Sequence, residues 1–422
     1  MTGLRELAAA FGTPLYVYDL AEARRCAEEL RSDLPAGAKL FYSVKANPHP
    51  EVAETLRLSG CGAEISSLGE LEVALAAGFP AEDLMYTGPA KTASEILAAA
   101  RAGVRSFSTE SPIDFRRIAA GAEQAGIEAE VLLRVAGTAR GASGLRMTGG
   151  ASQFGHPIDA LTADPGAFQD IKGASLTGLH HFSVSNVSDE SALIDELTSA
   201  VRLSAELRDR LGLQLRSLDL GGGFAAPYAI GTAPPAYPRL KTELEQALDE
   251  CLPAWRRGDP SIAFESGRRL TATCGTLVAE VMDVKLSQGA RYVVLDTGIN
   301  HLGGLSGTGR MMRPKVELTV LGRPDPAASG LRAVVTGPLC TPADVLSFDA
   351  AVPDVVPGDL VAIRNVGAYG LSASLTGFLS RPMPIEVPVD SSGAVRAGRL
   401  RLRREPVAMR YEPREGQHDD VY

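Results

Sequence analysis

The sequence lacks what a disulfide-held or zinc-held protein needs. Its five cysteines (Cys26, Cys61, Cys251, Cys274 and Cys340) are odd in number, far apart and without a CxxC pair. This spacing argues against a disulfide framework and a structural zinc site, and no metal site is expected. No apolar run approaches the roughly 20 residues of a membrane span. The opening MTGLRELAAAFGTPLYVYDL has no basic stretch followed by an uninterrupted apolar one, so it does not read as a secretory signal. Nor is there an excess of positive charge: 42 Lys and Arg against 51 Asp and Glu leave a net charge of −9. Nucleic acid and anionic membrane surfaces are therefore not expected partners, and a reducing cytosol is the expected compartment. No fixed-period repeat is visible.

What is present is a long alternation. From about residue 38 to 265, short apolar runs (KLFYSVKA, GAEISS, DLMYTG, VRSFSTE, AEVLLRV, LTGLHHFSV, RSLDLGGG, SIAFESG) are separated by Ala-, Leu- and Glu-rich helical stretches. About eight β/α units predict a closed (β/α)₈ barrel rather than an open doubly wound sheet. After residue 270 the pattern becomes β-rich, with Gly, Pro and Asp turns, and predicts an all-β C-terminal domain. The expected division is a barrel over 28–265 and a β-domain over 266–405 that also takes residues 1–27 through the strand PLYVYD. A polar tail covers 406–422.

Several residues have types and places suited to chemistry. Lys45, in FYSVKANPHP, falls at the C-terminal end of the first barrel strand, where barrel active sites lie. Alone it could be a lysine snorkelling out of a strand end; desolvated, its pKa would fall and it could form a Schiff base. Gly221, Gly222 and Gly223 in LDLGGGF follow another strand, where unobstructed backbone N–H groups could cradle a phosphate, or simply make a tight turn. FESGRR puts Glu265, Gly267 and Arg268 at a further strand end, and the alternative for Glu265 is an ion pair with Arg268 or Arg269. Cys340 and Asp344 share the loop GPLCTPADVL, and Tyr369 lies in the glycine-flanked NVGAYG.

In order, YSVKAN, GAEISSLGE, GLHHFSVSN, LDLGGGF, ESGRRL, GPLCTPAD and GAYG resemble the fold-type III pyridoxal 5'-phosphate (PLP) decarboxylases, the ornithine and diaminopimelate decarboxylase family, over about residues 12 to 385. The resemblance implies an alanine-racemase-like barrel and a homodimer with shared active sites. Lys45 would hold PLP, Gly221 to Gly223, Arg268 and Tyr369 its phosphate, and Glu265 its pyridine nitrogen. Cys340, from the second subunit, would return a proton to Cα. Glu265 favours decarboxylation over racemisation, because racemases of this fold place an arginine at that nitrogen. A regulatory protein that has lost PLP is a further alternative, disfavoured by the retention of Lys45, the glycine loop, Glu265 and Cys340.

Two departures narrow the substrate. The family motif HxH[IV]GS, aligned on Ser185, puts Phe182 where a histidine stacks on the cofactor ring, and a one-residue slip would offer His181 instead. Beside Cys340, where relatives acting on diamino acids carry an acid, stands Thr341, so a distal ammonium would find no charge partner. A branch with the same CTP-x-D loop, the HxF variant and a segment like Gly144 to Gly155 is associated with biosynthetic clusters, exopolysaccharide and siderophore pathways. Some of its members decarboxylate an acidic aminoacyl group on a carrier protein. Arg146 and Arg313 are candidates for a substrate carboxylate or a phosphopantetheine phosphate, with Thr341 and Asp344 as further substrate candidates. Diaminopimelate or another free amino acid is the alternative substrate.

Overall fold

The structure is a computed structural model that describes residues 3–136, 145–146, 152–169, 171–303, 315–322, 331–352, 354–391, 393–394, 396–404 and 406. Eight parallel strands close a barrel in chain order: Lys39–Ser43, Gly62–Ile65, Leu84–Tyr86, Ser106–Thr109, Ala129–Arg134, Ala174–His180, Ser217–Asp219 and Ser261–Ser266. The last pairs with the first, with Glu265 opposite Phe41, so no strand edge is left. Short strands suffice because both faces are covered: side chains such as Tyr42, Ala63, Tyr86, Phe107 and Phe264 are fully buried.

The loops leading into the barrel helices are fixed by side-chain caps. Ser67 accepts from the Glu70 N–H, Ser111 accepts from the Asp114 N–H, and Thr92 and Glu95 form a reciprocal capping box. Each such cap satisfies backbone donors that would otherwise be orphaned at the C-terminal rim of the barrel.

A second, nine-stranded mixed sheet stands apart from the barrel. Its long strand Gly275–Ser287 pairs antiparallel with Leu15–Asp19, which pairs on its other side, in parallel, with Ile385–Asp390. The N-terminal strand is thus interior to a sheet otherwise made by the C-terminal part. The helix Leu20–Asp33 runs from that strand towards the barrel and spans residue 28. Among the described residues, no helix is long and apolar enough to cross a membrane.

One local expectation needs correction. The run KLFYSVKA is strand only as far as Ser43; Val44–Ala46 is a 3₁₀ turn. The Asn47 N–H donates to the Val44 carbonyl at 3.0 Å, and the Tyr42 hydroxyl donates to the Asn47 carbonyl. The chain turns at the barrel mouth, and Lys45 is carried on the turn.

Candidate active site

A cavity of about 470 Å³ opens at the C-terminal end of the barrel, within the range usual for small-molecule sites. Lys45, Glu64, Arg134, Phe182, Glu265 and Tyr369 line it, as do Ser185 and Arg268. The barrel's strand ends and the loop carrying Tyr369 therefore bring together residues from five of the seven motifs, with Arg134 from a further strand. Tyr369 is seated by its own backbone, whose N–H donates to the Ala46 carbonyl at 2.7 Å, and the Arg268 guanidinium lies 4.9 Å over its ring.

Lys45 Nζ lies 2.6 Å from both carboxylate oxygens of Glu64, a residue at the end of the second barrel strand that is only 1% exposed. Thr87 also donates to Glu64. Burial works to lower the lysine pKa, but Glu64 first and Glu265 next outweigh it, and the net shift is upward. The depressed lysine pKa expected from desolvation alone is thus reversed. In the sequence Glu64 is marked only by being a lone charge inside an apolar barrel strand. Burial would raise the Glu64 pKa, and the Lys45 ammonium overrides it, so this carboxylate is held ionised.

The floor of the site is acidic and crowded. His180, Asp219 and Glu265 are buried, with ligand-capable atoms within 4.8 Å of one another. His180 Nε2 is 3.3 Å from Glu265 Oε1, yet neither atom has a hydrogen-bond partner among the described residues. Burial, then Glu64 and Asp219, push the Glu265 pKa well above the ordinary range, while burial and Arg134 hold His180 neutral. Burial likewise raises Asp219 to about 7. An orphaned buried acceptor costs about 1–3 kcal/mol. Glu265 Oε1, which this cavity wall presents, is suited to a polar partner delivered by a bound molecule.

The two aromatic candidates are placed differently. Phe182 lines the cavity, 5.7 Å from the Arg134 guanidinium, which also lies 4.9 Å from the Phe154 ring. His181 points elsewhere and its Nε2 meets Ser204 Oγ at 2.7 Å. Burial lowers the His181 pKa to about 4. Because the folded state prefers the neutral ring, this group's contribution to stability is complete above pH 6.5 and is lost as pH falls towards 4. His181→Gln is expected to reduce the pH slope of the unfolding free energy across that window by up to about 1.4 kcal/mol per pH unit. Urea titrations at pH 7 and pH 5 measure it, and an unchanged slope would refute the assignment.

The glycine loop serves packing as well as approach. Gly221 has φ +67° and its N–H donates to Asp219 Oδ1 at 2.7 Å. A Cβ there would collide with the His181 carbonyl, and one at Gly222 with the Glu265 carbonyl. Gly267 is pressed against Ala46 and Ser43 in the same way.

Cys340 lies outside this cavity, exposed on the loop between Arg332–Thr336 and Val345–Ala351. Asp344 shapes that loop: its oxygens accept from the Ile299 and Leu339 N–H groups at 2.9 and 2.7 Å. With both oxygens spent on backbone, its observed work is structural rather than substrate binding. Thr341 accepts from the Ala343 N–H in the same turn. Arg146 has its backbone paired with Val184, next to Ser185, in a two-stranded ribbon. Arg313 lies outside the described residues.

A closed parallel barrel with a lysine turn, a buried glutamate and a glycine loop at its mouth defines an enzyme site built around a cofactor. The profile of the pyridoxal-binding domain of pyridoxal-dependent decarboxylases matches residues 20–272. The chain belongs to this family of carboxy-lyases, whose cofactor is PLP. It is 32% identical to L-glutamyl-[BtrI acyl-carrier protein] decarboxylase of Niallia circulans, over 90% of each chain. Diaminopimelate decarboxylase of Aquifex aeolicus is 28% identical over 94% of this chain and 91% of its own. The fold matches that of diaminopimelate decarboxylase from Helicobacter pylori, solved with L-lysine, with a TM-score of 0.81, 24% identity, and coverage of 93% and 95%.

Proposed function

We propose that this chain removes the α-carboxylate of an acidic aminoacyl group tethered to a carrier protein, as a cytoplasmic step in a secondary-metabolite pathway. The observation that carries the reading is the use of the cavity's carboxylates. Glu64 is bound to Lys45 and Glu265 sits against His180. With Glu64 held by Lys45 and Glu265 reserved for the cofactor's nitrogen, neither would be left to pair with the distal ammonium of a diamino acid, and burying such a charge unpaired is costly. The similarity to a decarboxylase acting on a carrier-bound glutamyl group supports the same choice.

The residues present fit PLP: an amine, an orphaned buried carboxyl oxygen, an apolar ring face and a cationic, phenolic and glycine-rich wall. Lys45 would hold the cofactor covalently, Phe182 cover its ring, and Glu265 face its nitrogen. Arg268, Tyr369, Ser185 and the loops of Gly221 to Gly223 and Gly267 would receive the phosphate. Bound there, PLP supplies the electron sink that makes loss of carbon dioxide feasible. Glu64 keeps Lys45 oriented and can take up and return its ammonium proton. The walls formed by Phe154 and Phe182 keep water from the reacting carbon. Cys340 from a second copy of the chain would return a proton to Cα, which makes the homodimer the working unit.

The test is carbon dioxide release from L-glutamyl thioester on a holo carrier protein, compared with free lysine, ornithine, arginine and diaminopimelate. Efficient turnover of a free diamino acid would overturn the substrate reading. Exchange of the Cα proton without carbon dioxide release would favour racemisation. Shared sites have their own measurement. Lys45→Ala and Cys340→Ala homodimers, each inactive, should regain about one quarter of wild-type activity when mixed and allowed to exchange, because half the dimers then hold one intact site. No recovery despite exchange would place both residues in sites within one chain.

A further inference from the structure

Outside the cavity, the strongest unexplained feature is a groove of about 560 Å³ on the second domain. Its walls are the turn Thr376–Met383 and the stretch Arg399–Arg404. Residues 396–404 read RAGRLRLRR, five arginines and no acid, in a chain whose net charge is −9. Arg399, Arg401, Arg403 and Arg404 are exposed and have no ion pair among the described residues. The leucines between them are open too: Leu400 is 56% and Leu402 70% exposed. An apolar strip edged by guanidinium groups is the surface composition of a recognition site rather than of a solvated flank.

Its position ties it to the chemistry. Arg381, in the same groove, donates to the Pro338 carbonyl at 3.0 Å and so braces the loop that carries Cys340. The turn follows directly on the segment whose Tyr369 and Ala373 line the catalytic cavity. A body docked in the groove would stand beside the loop and near the mouth of a site.

We propose that this groove is the docking surface for the carrier domain, received through a carboxylate-rich face against Arg399, Arg401, Arg403 and Arg404 and an apolar contact on Leu400 and Leu402. The proposal rests on the carrier-tethered reading of the substrate. Charge complementarity selects the occupant. The rest of the chain repels an acidic partner, so steering towards the mouth needs a local cationic cluster, and guanidinium groups are the side chains best matched to carboxylates.

The test uses the full-length PLP-loaded enzyme and the variant R399S/R401S/R403S/R404S, all four exposed and outside the cavity. L-glutamyl thioester is supplied on a holo carrier protein and, separately, on pantetheine alone. The variant is expected to lose at least about tenfold in kcat/KM with the carrier substrate while its turnover of the pantetheine thioester is unchanged. The wild-type preference for the carrier form should also shrink as salt rises, and the variant should show no such salt dependence. Equal loss on both substrates, or no loss on either, would overturn the docking surface. Carrier binding measured directly separates the two levels. If the wild type turns over neither thioester, the substrate reading fails; if it turns over both and the variant still binds the carrier at wild-type affinity, the groove assignment alone fails. Removal of residues 407–422 checks the chain's own tail as occupant: a gain in carrier affinity on truncation, with no dependence on the arginines, would overturn the proposal.

Discussion

Lys45→Ala is expected to reduce kcat/KM for decarboxylation by at least about 10³-fold, equivalent to about 4 kcal/mol of transition-state stabilisation. The cavity offers a rival amine, and geometry separates the two. Lys91 also lines it, but its ammonium is buried 2.8 Å from Asp114 and donates to the Gly88 carbonyl at 2.7 Å. Among the described residues Lys45 is bound only to Glu64, and it lines the open space. Borohydride reduction of the wild-type holoenzyme should therefore fix pyridoxyl phosphate on the peptide containing Lys45, and on no other. Lys45→Arg is the companion variant: it keeps a cation beside Glu64, so its melting temperature should stay near wild type while activity is lost. A label found on Lys91, or activity retained by Lys45→Ala, would remove Lys45 from the chemistry.

Glu265→Gln should separate activity from stability. The wild-type carboxyl is buried and crowded by Glu64 and Asp219, which raise its pKa, so the fold gains nothing from its charge. An isosteric amide is neutral without having to bind a proton, and the variant is expected to melt at or above the wild-type temperature. Activity should fall by about 10²–10³-fold, the usual scale for losing one preorganised electrostatic group at a reacting centre. Most of that loss is expected in kcat, read from single-turnover release of carbon dioxide. A variant within about threefold of wild type would show that Glu265 does not tune the cofactor. A variant that loses activity only because it unfolds would show a structural role instead.

The barrel was legible because its period is repeated: each apolar run and each helical stretch reports the same local physics eight times over. Phe182 could be ranked against His181 only once the strand end at His180 set which side chain turns into the cavity. Glu64 and Arg134 escaped notice for a related reason. Glu64 is the one charge of its strand and Arg134 the one buried charge of its own, and the partner of each, Lys45 or Glu110, is supplied by a different β/α unit. That pairing is set by strand register, which periodicity does not contain. The burial of Lys45 is visible in the sequence and its compensating anion is not, so desolvation alone gives the wrong sign for its pKa. Cys340 was legible as a loop residue, but the structural work of Asp344 was not, because its backbone donors come from Ile299 and Leu339.

The strand Leu15–Asp19 has a consequence for how the protein is made. It leaves the ribosome well before its two sheet neighbours, Gly275–Ser287 and Ile385–Asp390, are synthesised. Until then its backbone donors and acceptors have no native partners, and the apolar stretch LYVYD is a bare edge on a growing chain. The barrel can close without it, since that ring of strands is complete by Ser266. Biogenesis is therefore staged: a finished barrel waits for its second domain with a sticky leading strand attached.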